Sequence, residues 1–416
     1  MPLTNHPGRI PLTEELHARP FPVIDAPAKI YYLALRMDDP NSDALQTLAE
    51  HLGLPAPEKG NHYYGSKNTT ALKWEQHTEF QTFTLISKPK SKGFPDAWLT
   101  SLNAAIVTRA KIDMLPSVTT KDANTYLIEN LSGPEHEALA VTAVLDRDAI
   151  LACDFKIGAD DHVAMVILPI GQVGPHRLGR IAQRLLEIET YRAMSMLTLP
   201  IAREVFGRIN ALDKTLSDLV DQLIKPDAQR AEILDALSTV SAELEALNAA
   251  HSYRFSAGTA YSEIVKNRIS ILREERVLGR QTFHEFFMRR FQPAMNTCTA
   301  AEQRLAEITK RAARAFEMLS TRANLLATEQ NIEVLAALNK RSELQLRLQE
   351  TVEGLSVVAI SYYGVNLLGY LISPIAVEMG FDKTMAKAAL VLPVVIGTWL
   401  GIRFAKRRFF GKNKKG

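Results

Sequence analysis

The chain has 416 residues, 46% hydrophobic and 23% charged, which gives room for two or three folded domains. A net charge of +3 argues against a nucleic-acid binder, and two distant cysteines, Cys153 and Cys298, exclude a disulfide framework and CxxC metal spacing. Lone thiols suit a reducing compartment, and the first residues lack the apolar stretch of a secretory signal, so none is expected.

Residues 1–27 carry His6, Pro7, Pro11, His17, Pro20, Pro22 and Pro27 and read as an extended arm. Its string His17-Ala18-Arg19-Pro20 is expected to pack on the domain behind it. Residues 28–172 read as an α+β domain. Strands are predicted at 28–36, 69–75 and 79–87, and helices at 42–52 and 96–105. Short β-rich runs follow at 126–128, 138–144, 149–155 and 162–168. Asp146-Arg147-Asp148 and Gly158-Ala159-Asp160-Asp161 are turn signals between them. One mixed sheet flanked by helices accounts for this spacing.

Residues 173–292 are helical in period. Leu178, Ile181, Leu185, Ile188 and Tyr191 recur at steps of three and four, one face of an amphipathic helix. Pro200 and Pro226 are expected to end or separate helices, and a further helix is predicted from about 256 past 291, with a break at Gly279.

Residues 293–354 read as one long stalk helix. From 294 to 353 there is neither Gly nor Pro, and as a single helix that stretch would span about 90 Å. Cys298, Ala301, Leu305, Ile308, Ala312, Ala315 and Leu319 form a heptad-like seam. Two outcomes fit it, an intramolecular helix bundle or an oligomeric coiled-coil stalk.

Residues 355–377 contain 23 positions without a charge, enough to cross a bilayer core. Ser361, Tyr362, Tyr363 and Asn366 make this first span less apolar than a simple anchor. A second span is predicted over 385–402, with Pro393 inside it and Lys387 reaching the headgroups. Between them lies a loop, 378–384, carrying Glu378 and Asp382. The tail 403–416 holds seven cations and no acid, among them Arg403, Lys406, Arg407 and Arg408. By the positive-inside rule the tail is expected in the cytoplasm, and two spans then put the large N-terminal part there too. Gly397 and Gly401 form a GxxxG step suited to close helix packing.

The expected fold is thus an α+β cytoplasmic domain, a long-helix bundle or stalk, and a C-terminal two-helix transmembrane hairpin. There is no GxGxxG after a strand, no P-loop, no HExxH and no GxSxG. Asp160-Asp161-His162 reads as a polar turn. Glu187 and Glu189, two apart on a helix, point to different sides. No catalytic residue, cofactor site or metal site is predicted.

Two strings carry a family resemblance: Glu14-Glu15-Leu16-His17-Ala18-Arg19-Pro20-Phe21, and Gln183-Arg184-Leu185-Leu186-Glu187-Ile188-Glu189-Thr190-Tyr191-Arg192. With Thr351–Ser356 and Ala359–Tyr363 at the first span, they resemble a bacterial family of uncharacterised membrane-anchored proteins, a domain of unknown function. That resemblance implies no activity. In architecture the chain also resembles the CorA magnesium-channel superfamily. Tyr363-Gly364-Val365-Asn366 is similar to that superfamily's Tyr-Gly-Met-Asn motif, with Val365 in place of Met. The second resemblance implies a homo-oligomeric inner-membrane channel for a divalent cation, with Tyr363 and Asn366 lining the pore and Glu378 and Asp382 at its outer mouth. The alternative is a scaffold or regulator tethered to the lipid bilayer, with Asn366 joining the two spans by a hydrogen bond.

Overall fold

The computed structural model describes residues 4–10, 12–13, 21–39, 43–58, 60–131, 138–223, 230–378 and 382–410. It divides into two compact units, Met1–Glu317 and Met318–Gly416. The expectation for His17-Ala18-Arg19-Pro20 and the break at Pro226 lie outside the described residues.

The first unit is built on one mixed sheet. Its strands are β1 (Ala28–Met37), β2 (His62–Lys67), β3 (Thr70–Gln76), β4 (Gln81–Ser87), β5 (Ala104–Met114), β6 (Ala140–Val144), β7 (Ala149–Ile157), β8 (Val163–Pro169) and β9 (Glu275–Arg276). Their spatial order is β2-β3-β4-β1-β5-β8-β7-β6-β9. Every pairing is antiparallel except β5 with β8, which runs parallel with Ala110 opposite Val163. The period-2 alternation of β1 sets the two layers. Leu33 and Leu35 point into a core with Leu48, Phe83 and Trp98, under helices α1 (Ala44–Leu52) and α2 (Asp96–Ser101). Trp98 is fully buried, donates to the Ala44 carbonyl at 2.8 Å and meets Phe83 edge-on at 5.1 Å. Ile30 and Tyr32 point to the opposite face.

That opposite face is covered by α4 (Pro175–Met196), where Leu178, Ile181, Leu185 and Ile188 are buried. Pro175 sits at the first helical position, where its fixed φ favours the helix and its missing N–H costs nothing. Helices α5 (Thr198–Leu223) and α6 (Arg230–Ile271) follow, then α7 (Phe283–Arg290). Pro200 lies in the first turn of α5 and does not break it. The capping box of Thr282 and Glu285 starts α7.

Three expectations about elements need correction. Residues 126–128 are not a strand but part of α3 (Thr120–Leu131), whose Ala123 and Tyr126, one turn apart, pack on β6 and β7. The helix predicted over 96–105 stops at Ser101, and the chain turns at Leu102 into β5, a central strand. No helix runs from 256 past 291: α6 ends at Ile271, β9 intervenes, and Gly279 takes a left-handed φ of 69° before α7.

The heptad-like seam lies on α8 (Gln292–Glu378). Cys298, Ala301, Leu305, Ile308 and Ala312 are buried. Arg304 and Arg311 beside them bridge to Asp213 of α5 at 2.7 and 2.8 Å. This part of the seam is therefore core of the helical layer in the first unit, and the spacing does not report a coiled coil between copies. In the second unit the apolar side chains of α8 are exposed, among them Ile332, Leu335, Leu355, Val358, Leu367 and Leu371.

The last helix is α9 (Lys383–Phe410). Two helices are long and apolar enough to cross a membrane, within Gln292–Ile372 and Lys383–Ala405, with mean hydropathy 1.6 and 1.8 over their best windows. Their large side chains face outward; Leu392, for example, is 71% exposed. Contiguous apolar surface of that kind marks association with a membrane or a partner.

A candidate ligand cavity between sheet and helix

A cavity of about 300 Å³ opens between α4 and the strands β1, β3 and β4. The sheet contributes Ile30, Tyr32, Lys73, Glu75 and Thr84, and α4 contributes Gln183, Arg184, Glu187, Thr190 and Tyr191. Arg268 and Ile271 come from the end of α6, and Phe21, Pro22 and Ile24 from the segment leading into β1. That segment is fixed to α4: Ile24 N–H donates to the Pro175 carbonyl at 3.2 Å. A Cβ on Gly179 would lie 1.7 Å from the Pro22 carbonyl oxygen, so only glycine permits this approach.

A chain of polar contacts crosses the cavity wall. Lys73 is almost fully buried, bridges to Glu75 at 3.2 Å and donates to Gln183 Oε1 at 2.8 Å. Gln183 Nε2 donates to Glu187 Oε1 at 2.8 Å, one helical turn along. Glu187 Oε2 accepts from Arg268 Nε at 2.5 Å. Deeper in, the hydroxyls of Tyr32 and Thr190 are 2.6 Å apart. Thr190 spends its proton on the Leu186 carbonyl, so Tyr32 is the donor. Burial, first of all, pushes the Tyr32 hydroxyl well above the ordinary tyrosine value.

Arg184 differs from its neighbours. It is half-buried and has no hydrogen bond or ion pair among the described residues. Burial first, and then the guanidinium groups of Arg180 and Arg268, pull it below the usual arginine value. An aromatic cluster forms a further part of the wall. His77 stacks on Phe80 at 4.4 Å, and Tyr191 stacks on Tyr261 at 5.5 Å. Tyr261 donates to Glu79 at 2.7 Å, and Arg254 bridges the same carboxylate at 3.1 Å. The arrangement can hold a small polar molecule by charge, hydroxyl and ring contacts together.

None of these residues was singled out as a site from sequence, because they come from five separated segments. The usable signal was the helix string 183–192. Gln183, Arg184, Glu187, Thr190 and Tyr191 line the cavity, while Leu185 and Ile188 are buried. Glu189 is fully buried and pairs with Arg192, so Glu187 and Glu189 do diverge. The other string, 14–21, contributes Phe21; its residues 14–20 lie outside the described set.

The residues predicted near the membrane are placed as follows. Tyr363 is 67% exposed and packs edge-on against Tyr362. Asn366 is half-buried and makes no side-chain hydrogen bond among the described residues. Buried Ser361 Oγ also lacks a partner there. Asp382 is exposed just before α9, where its carbonyl accepts from Ala386 N–H at 3.0 Å. Gly397 and Gly401 face open space and do not bring the helices together within one chain. The close approach lies instead at Gly364, whose Cβ would meet Val394 at 3.0 Å, and at Gly369, which abuts Lys387. Arg403 stacks over the Trp399 ring at 4.9 Å. The side chains of Glu378, Lys406, Arg407 and Arg408 lie outside the described residues. Asp160 and Asp161 pair with Lys111 and Arg109. Among the described residues no cluster of three His, Cys, Asp or Glu could hold a metal ion.

Residues 4–409 match the family described as a protein of unknown function (DUF3422), and the chain belongs to that family. No curated protein matches it.

Proposed function

We propose that this DUF3422 protein is a membrane-anchored, ligand-binding regulator of the cytoplasmic membrane. In this reading α8 and α9 form a two-helix hairpin in the bilayer, with α8 as its stalk. The first unit then lies in the cytoplasm and presents the cavity. The observation that carries it is convergence: Phe21 from one family string and six residues of the other, Gln183, Arg184, Leu186, Glu187, Thr190 and Tyr191, line one cavity. Orientation rests on the basic tail beyond residue 402. The test has two parts. The protein should stay in the membrane pellet after carbonate extraction, and a reporter fused after Gly416 should be active only in the cytoplasm. Release by carbonate, or a periplasmic reporter signal, would refute the anchoring.

One observation favours a second reading, the homo-oligomeric cation channel. Ser361 and Asn366 are polar groups inside an apolar span without hydrogen-bonding partners among the described residues, and polar groups in a span usually face a protein interior or water. Reconstituted liposomes should then pass Mg²⁺ or Na⁺ in a manner sensitive to Asn366→Ala. A monomer in detergent with no flux leaves the regulator.

A further inference from the structure

The charge count around the cavity is uneven. Lys73 is paired with Glu75 at 3.2 Å, and Arg268 with Glu187 at 2.5 Å. Arg184 lines the same cavity with no such partner among the described residues. A cation partly removed from water and left unpaired is an unfavourable arrangement that a bound anion relieves. The surplus is a single positive charge, which matches a monoanion better than a dianion. The same cavity has apolar wall as well, through Ile24, Ile30, Phe80, Leu186 and Ile271.

We propose that the cavity binds a small organic carboxylate, its carboxylate on Arg184 and its apolar body against Phe80, Ile30 and Ile271. A guanidinium presents a planar fork of N–H donors that suits both oxygens of a carboxylate. The Tyr32–Thr190 pair lies deeper and selects bodies carrying a further polar atom. This assignment rests on the cavity being the site of the proposed regulator, but it does not depend on how the protein meets the membrane.

The experiment is titration calorimetry on the full chain in non-ionic detergent, with benzoate, hexanoate and inorganic phosphate as probes. At least one carboxylate is expected to bind saturably, and phosphate to bind no better than chloride. Arg184→Gln should weaken the carboxylate at least tenfold while its unliganded melting temperature does not fall below the parent value. Arg184→Lys should recover part of the affinity. Absence of carboxylate binding, equal binding by Arg184→Gln, or preference for phosphate would overturn the assignment. If carboxylates bind and the carbonate or reporter test fails, the anchoring is wrong and the ligand class stands. If anchoring holds and no carboxylate binds, the reverse is true.

Discussion

Thr108, in the central strand β5, donates its hydroxyl to Glu189 Oε1 on α4 at 2.8 Å, and the carboxylate it meets is fully removed from solvent. Arg192 completes the shell at 2.6 and 2.8 Å. The register of α4 on the sheet is thereby fixed by a charged group, and the cavity residues of the same helix, from Gln183 to Tyr191, are carried with it.

Glu189→Ala should therefore be severely destabilising. It leaves the Arg192 guanidinium without its counter-charge, a loss on the order of 3–5 kcal/mol for breaking a buried pair. Urea denaturation monitored by fluorescence reads it directly. A change below about 1 kcal/mol would mean that the pair does not hold α4 in place.

Gly179→Ala tests the approach of the segment before β1. The added methyl collides with the Pro22 carbonyl, a backbone atom that cannot rotate away. Overpacking of this kind costs about 1–3 kcal/mol. The segment around Phe21 should become susceptible to limited proteolysis, and any ligand of the cavity should bind more weakly. Unchanged cleavage would show that the segment yields without cost.

The response to alkaline pH follows from the buried hydroxyl and thiol. Burial raises Tyr32 and Cys153 well above their ordinary values. In the folded state both keep their protons where the unfolded chain releases them. Their stabilising contribution is thus fully present below the unfolded values, near pH 8.5–10, and is lost as pH rises beyond them. Unfolding free energy should fall from about pH 9 upward. Tyr32→Phe should show a shallower alkaline decline and, at neutral pH, a loss of about 1 kcal/mol for the bond to Thr190. An identical slope in both proteins would contradict the shift.

In the second unit, Gly364→Cys with Val394→Cys should cross-link within one chain, since a Cβ at position 364 lies in contact with Val394. Mild oxidation and non-reducing electrophoresis should give a faster-running monomer. Cross-linked dimers alone would place Val394 of a neighbouring copy there.

Legibility in the sequence followed the strength of the local pattern. The α4 face and the edges of β1, β4, β7 and β8 were visible because their apolar spacing is regular and turns bound them. β5 was not, since Ala104 and Ala105 extend a helical pattern and the switch to period 2 begins only at Ile106. At 126–128 the apolar run is too short for periodicity to separate strand from helix. The seam at 298–319 showed its buried face but not what buries it, because spacing on one helix says nothing about its partner. Hydropathy exposed the two apolar helices readily. The cavity was illegible because it depends on Lys73, Arg184 and Arg268 being brought together by tertiary packing.

β9 is only two residues long, yet it closes the sheet's far edge from a point more than a hundred residues downstream. Thr142 and Ala143 pair with Arg276 and Glu275, Leu145 N–H donates to Leu272, and Val141 N–H to Gln281. During synthesis, β6 therefore waits with its hydrogen-bonding groups open until residues 272–281 have left the ribosome. A nascent chain halted before that point displays an unpaired strand edge, the kind of surface that chaperones and neighbouring nascent chains recognise.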